Sequence, residues 1–144
     1  MSTFKVFDIA GSGMAAQSVR INTVASNLAN ANSVSGDPGQ VYKARHPIFE
    51  AVRSAVSGAP GAVTAEAGAA VRVRGITEVE APPLARYEPG NPLADANGYV
   101  YAPNVNVVEE MVDMISASRS YQNNVEVMNT SKEMLLATLR LGQS

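Results

Sequence analysis

The chain has no cysteine and a single histidine among its 144 residues. Without thiols there is no disulfide, no thiolate nucleophile and no cysteine-based zinc or iron–sulfur centre. His46 has no second histidine to share a metal with and precedes Pro47 in a stretch of strand character, so a structural role is the simpler reading. Excess basic charge is missing as well: 11 Lys and Arg against 13 Asp and Glu give a formal charge of −2. That balance offers no cationic surface for nucleic acid or for an anionic membrane. Long apolar runs are also missing. No segment approaches the roughly 18 apolar residues of a bilayer span, and the start, MSTFKVFDIAGSGM, has no unbroken run of signal-peptide length. Composition alone therefore predicts a cytoplasmic protein with no membrane insertion, no metal and no cofactor.

What is present is the apolar content of a globular chain, 46%, in a length that suits one domain. Three parts can be read. The first is a helix over about Thr3 to Asn32, in which Phe7, Met14, Ile21 and Leu28 recur every seven residues. Ala10, Val24 and Ala31 fill the companion positions and Gln17 interrupts them, which makes a narrow stripe of coiled-coil type. The last part, about Asn106 to Leu141, repeats the pattern. Met111, Ser118, Val125, Lys132 and Leu139 form one column, and Met114, Tyr121, Met128 and Leu135 the other. Asn106 is placed to cap this helix, Glu109 and Glu110 put negative charge in its first turn, and Arg140 and Gly142 stand at its close.

Between the helices, SGDPG at 35–39, SGAPGA at 57–62, APP at 81–83 and EPGNP at 88–92 punctuate short runs of strand character. VYKARHPIF and AVRVRGITEVE are the better strands, the second alternating until Gly75 shifts its parity as a bulge does. Tyr99 to Val107 is expected to be extended, limited by Pro103. The predicted fold is mainly α with a small β-rich insert. Residues 1–35 and 104–144 are long terminal helices packed as a coiled coil, and residues 36–103 are the insert. Two helices that bury one narrow stripe each stand near the margin of stability. Each buried apolar side chain contributes roughly 1.5–3 kcal/mol, while ordering each residue's backbone costs about 1–2 kcal/mol. Such a pair is expected to need further neighbours.

No residue set carries catalysis. Gly11-Ser12-Gly13 has the look of a phosphate turn, but no strand precedes it and no P-loop lysine follows, so close helix packing or a kink explains it better. Capping explains Glu109 and Glu110, and a solvated strand face explains Arg72 and Arg74. The asparagines are harder to dismiss, because asparagine is a poor helix former. Asn27 and Asn32 fall beside the expected seam and Asn30 on its outward side, while Asn124 and Asn129 flank the seam of the second helix. In a packed helical array each amide offers two donors and an acceptor to a neighbour. Solvated polar positions are the bland alternative.

GSGMAAQ at 11–17 with NTVASNLANANS at 22–33 resembles the N-terminal signature of the bacterial flagellar rod and hook proteins. NVNVVEEMVDMISASRSYQNNVEVMNTSKEMLLATLRLG at 104–142 resembles their C-terminal helix. Within that family, GDPGQVYKARHPIFE and YEPGNPLADANGYVYAPNVNVVEEM resemble the proximal-rod member. One departure stands out: Ser33 is followed by Val-Ser-Gly-Asp-Pro-Gly, where many rod and hook members carry a threonine and a Gly-Phe or Gly-Tyr pair. The resemblance implies a non-catalytic structural subunit of the basal-body proximal rod. It implies polymerisation through terminal helices around the export channel, with copies of itself, other rod proteins, the MS-ring base and the type III export gate as partners. It also moves the expected location to the periplasmic rod, reached without a cleaved signal peptide. The residues expected at the assembly seam are Phe7, Met14, Ile21, Val24, Leu28, Met111, Met114, Tyr121, Val125, Met128, Leu135 and Leu139. A soluble coiled-coil adaptor or peptide-binding module is the alternative from a different class.

Overall fold

The structure, a computed structural model, describes residues 3–53 and 68–142; the SGAPGA punctuation at 57–62 lies outside them. Two long helices dominate it, α1 over Thr3–Asn30 and α2 over Val107–Leu141. Four strands stand between them: β1 Arg45–Arg53, β2 Ala69–Glu78, β3 Leu84–Tyr87 and β4 Tyr99–Ala102. The protein is thus mainly α with a small β insert. No described helix is long and apolar enough to cross a membrane.

The helix ends follow from local chemistry. Asn106, in extended conformation, accepts from the backbone N–H groups of Val108 and Glu109, satisfying two donors that the first turn of α2 leaves open. At the other end Gly142 stays in the right-handed region and donates to the Thr138 carbonyl. α1 closes at Asn30, two residues before the expected end, where Ser33 N–H turns back to the Asn30 carbonyl.

The strands form two separate antiparallel pairs, β1 with β2 and β3 with β4. In the first, the register shifts opposite Ile48 and Phe49, which pair with Gly75 and Val73 and leave Arg74 as the extra residue. The parity change seen in the sequence at Gly75 is this bulge. β1 begins at Arg45 rather than Val41; just before it the Tyr42 hydroxyl donates to Asn27 and Ala44 N–H donates to Asn104. β3 carried no signal in the sequence: all four of its residues are exposed, so no alternation marks it. It is held by pairing Leu84 with Ala102 and Tyr87 with Tyr99, whose rings meet edge to face at 5.2 Å. The turn before β4 is made by Asp95, whose carboxylate accepts from the N–H groups of Asn97 and Tyr99. Gly98 there has φ +82, a conformation that strains any side chain.

The β1–β2 hairpin lies along α1. Near one end Val71 N–H donates to the Ser12 hydroxyl, and near the other Arg45 N–H donates to Asn27. The helices run antiparallel, since Gly11 and Gly13 approach Met128 and Asn124, Arg20 meets Asp113 and Asn27 meets Glu110. The buried apolar residues are mostly small: Ala10, Ala16, Ala44, Ala102 and Ala117, with Val24 and Val100. Many larger ones, among them Ile76, Leu84, Val108 and Ile115, stay exposed on the single chain.

Candidate functional site: the helix seam and its amide junction

Asn27 has no exposed surface at all. Its amide nitrogen donates to the Arg45 carbonyl at 2.9 Å and to Glu110 Oε1 at 2.8 Å. Its amide oxygen accepts from the Tyr42 hydroxyl and from Arg45 N–H, each at 2.9 Å. Both donors and both lone pairs are thus used, the full capacity of an amide side chain. One residue ties α1 to the approach of β1 and to the first turns of α2.

A second amide completes the junction. Asn104 Oδ1 accepts from Ala44 N–H, and Asn104 Nδ2 donates to the carbonyls of Val79 and Ala81. Val79 N–H in turn donates to the Ala44 carbonyl. The start of β1 is therefore gripped from α1 by Asn27 and from the approach to α2 by Asn104.

Glu110 is the charged member. It is 5% exposed, and while Oε1 accepts from Asn27, Oε2 is buried without a partner. Burial pushes its carboxyl above the usual carboxylate range; the Asn27 bond and the nearby His46 pull it back in part, while Asp113 and Glu109 push it further up. Its place in the first turn had suggested only a role in the helix dipole. His46 itself is exposed. Arg45 turns outward to Glu78 and lies 5.5 Å over the Tyr42 ring.

Away from this junction, the seam is made of small and polar groups. Arg20 and Asp113 form a half-buried pair at 2.8 Å. A Cβ built on Gly13 would stand 2.8 Å from Asn124 Nδ2, so the absence of a side chain there is what admits the amide of Asn124 to α1. Ala10 and Val24 on α1 and Ala117 and Ser131 on α2 are buried, and Gln17 Oε1 is buried without a partner. The Gly-Ser-Gly turn of the sequence is thus a place of close packing: Ser12 Oγ donates to the Ile9 carbonyl and receives β2, and Gly13 receives α2.

The residues at the centre of contact are Gly13, Arg20 and Asn27 on α1 and Glu110, Ala117, Asn124 and Ser131 on α2. Each set is a seven-residue column lying one position before the apolar column expected from the sequence. Phe7, Met14, Ile21 and Leu28 are half-buried, while Val24 is buried. On α2, Met114, Val125, Met128 and Leu135 are half-buried, and Met111, Tyr121 and Leu139 are exposed at 51%, 38% and 55%. Helix geometry relates them. In an antiparallel pair, stepping one residue onward from the contact line turns both helices toward the same flank. The Phe7 and Met111 columns therefore lie side by side on one flank of the pair, while the β1–β2 hairpin occupies the other flank of α1.

The remaining asparagines divide. Asn124 meets Gly13, Asn30 donates to the Ser26 carbonyl of its own helix, and Asn32 and Asn129 are exposed. Sequence reasoning missed Tyr42, Asn104 and Glu110. The missed signal was complementary need: a buried amide in a helix requires acceptors and donors from elsewhere.

Comparison with known proteins agrees with this architecture at both ends. Residues 7–36 match the family described as flagella basal body rod protein, and residues 96–141 match that described as flagellar basal body rod FlgEFG protein C-terminal. Over its full length the chain is similar to curated proteins named flagellar basal-body rod protein FlgC. The protein of Salmonella typhimurium is 56% identical, over 99% of this chain and 100% of that one. That of Aquifex aeolicus is 45% identical over 96% of each, and that of Buchnera aphidicola from Schizaphis graminum 42% identical over 99% and 100%.

Proposed function

The chain belongs to the FlgC family of flagellar basal-body rod proteins, and from that footing we propose that it is a structural, non-enzymatic subunit of the proximal rod. Residues 1–35 and 104–144 form the inner helical layer, packed as a coiled coil around the export channel, and residues 36–103 form the outer part. The observation that carries this reading is the mismatch between seam and flank. The helices meet through alanine, glycine, serine and amides, while Phe7, Met14, Ile21, Leu28, Met111, Tyr121 and Leu139 remain partly or largely open beside them. An apolar flank shared by two helices is the surface onto which helices of neighbouring subunits pack.

Its partners are then copies of itself and other rod proteins, with the MS-ring base below and the export gate at the channel. The subunit reaches the periplasm through the type III apparatus without a cleaved leader. Chains that travel unfolded gain order on assembly, and a thin core of small residues suits that route. Mass spectrometry of detergent-extracted basal bodies against the soluble fraction tests the reading. Enrichment in the basal bodies is expected; recovery only as a soluble, folded oligomer would overturn it.

A further inference from the structure

The turn that leads into β4 sets two demands against each other at Asn97-Gly98, the single Asn-Gly step of the chain. The turn needs glycine at 98: φ there is +82, and a Cβ would stand 2.9 Å from the Tyr87 ring and 3.2 Å from Pro89. Glycine, however, leaves its backbone nitrogen unshielded beside the amide of the residue before it. Asn97 is exposed, and the bond it makes to Asp95 comes from its backbone N–H, so among the described residues nothing holds its side-chain amide. The backbone is what is held. Asp95 Oδ1 accepts from the N–H groups of Asn97 and Tyr99, each at 2.8 Å, and Gly98 N–H donates to the Asp95 carbonyl at 3.0 Å. Asp95 N–H closes the set on the Tyr99 carbonyl at 2.8 Å.

We infer that Asn97-Gly98 is a site of spontaneous covalent modification, deamidation through a succinimide, and that the Asp95 turn guards it. In the reaction the Gly98 nitrogen gives its proton to hydroxide and attacks Cγ of Asn97. A C–N bond forms to close the imide ring, and the bond from Cγ to the side-chain nitrogen breaks as ammonia leaves. Water then opens the ring at Cγ to give aspartate, or at the main-chain carbonyl to give isoaspartate, whose main chain runs through Cβ. Water is consumed and ammonia released, with no oxidant or cofactor. In the folded turn the Gly98 nitrogen is committed to Asp95 and cannot swing onto Cγ unless the turn opens. The rate therefore follows the population of the open turn. Isoaspartate lengthens the main chain between Asp95 and β4, so one carboxylate no longer spans the N–H groups of residue 97 and Tyr99, and the pairing of β3 with β4 around buried Val100 loses its register. A chain that waits unfolded is thereby marked and loses the means to refold its insert. The inference stands apart from the rod reading, since it concerns any state in which the turn is open.

The full chain is incubated at mildly alkaline pH in buffer and in guanidinium chloride, then digested, and the fragment carrying residue 97 is followed by mass spectrometry, with its isoaspartyl and aspartyl products separated by chromatography. Conversion of that fragment should be several-fold faster in denaturant than in buffer and should outrun every other asparagine of the chain. Asn97→Gln, which keeps the backbone bonds of the turn, should abolish the product. Asp95→Ala should raise the rate in buffer several-fold toward that in denaturant, with helical circular dichroism retained, while Asp95→Asn, which keeps an acceptor at Oδ1, should stay near the parent. Equal rates for the parent in buffer and in denaturant would show that the turn guards nothing. No conversion at residue 97 in denaturant would remove the site itself. An Asp95→Ala rate equal to the parent's in buffer would show that the carboxylate is not the guard; any of these three results overturns the inference.

Discussion

The seam between the helices and the flank beside it are built from opposite materials. Along the seam, Gly13, Arg20, Asn27, Glu110, Ala117 and Asn124 are small or polar, and one amide among them makes four hydrogen bonds. On the flank, Phe7, Met14, Ile21, Leu28 and Met111 are large and apolar and are partly or largely open. A monomeric helix pair normally does the reverse, burying its large residues in the contact. The difference separates two tasks. The seam fixes which residues of one helix meet which of the other, because a shift of register would leave buried donors and acceptors unmatched. The flank leaves its apolar area uncovered on the single chain.

That division can be broken from either side, and the largest effect belongs to the flank. Leu28→Asp or Leu135→Asp should abolish rod incorporation and motility, because a carboxylate cannot be buried among packed helices. Circular dichroism of the isolated chain should change little, since both residues are only half-buried there. Motile cells carrying either variant would show that the flank is not an interface. The seam comes next. Asn27→Leu strands Glu110, Tyr42 and the Arg45 backbone, and should cost about 3 kcal/mol in urea denaturation, near the upper part of the range for unsatisfied buried groups.

Glu110→Gln acts in the opposite direction. The carboxyl is held above its usual range by burial, so the folded state binds its proton more tightly than the unfolded chain does. Its contribution to stability is therefore fully present below the unfolded value and is lost as pH rises through the folded one. Replacing it by an amide keeps the acceptor for Asn27 and removes the charge. The variant should be more stable than the parent at neutral pH and should lose this part of the decline as pH rises above the usual carboxylate range, as read from melts at acid and neutral pH. The smallest effect is expected at the half-exposed Arg20–Asp113 pair, where Asp113→Asn should cost under about 1 kcal/mol and less at high salt. A larger loss there would mean that the ion pair, and not the amide, sets the register.

The sequence was informative wherever a local rule decided the outcome. Asn106 could be read as a cap because a helix start needs one, and the bulge because Gly75 breaks a two-residue alternation. The phase of the seam was not legible by the same means. Hydrophobic periodicity ranks Met111 and Leu28 above Ala117 and Gly13, yet a close antiparallel contact selects small residues, and the apolar columns were displaced to the flank. Strand β3 was illegible because its place depends on backbone pairing with Leu84 to Tyr87 and not on any burial of their side chains. Asn27 was visible as an anomaly; its partners were not, because Arg45 and Glu110 lie far from it along the chain.

The chemistry of the junction has a consequence for how such a rod comes apart. Most of the bonds to Asn27 join neutral groups inside the protein, where dissolved ions do not reach them, whereas the Arg20–Asp113 pair is partly open to solvent. At about 1 M salt the Debye length shrinks to roughly 3 Å, enough to erase attraction between exposed charges while strengthening none of the neutral bonds. Brine should therefore leave the register of the helix pair in place, and subunits shed from a rod by other means should keep their internal helix pairing.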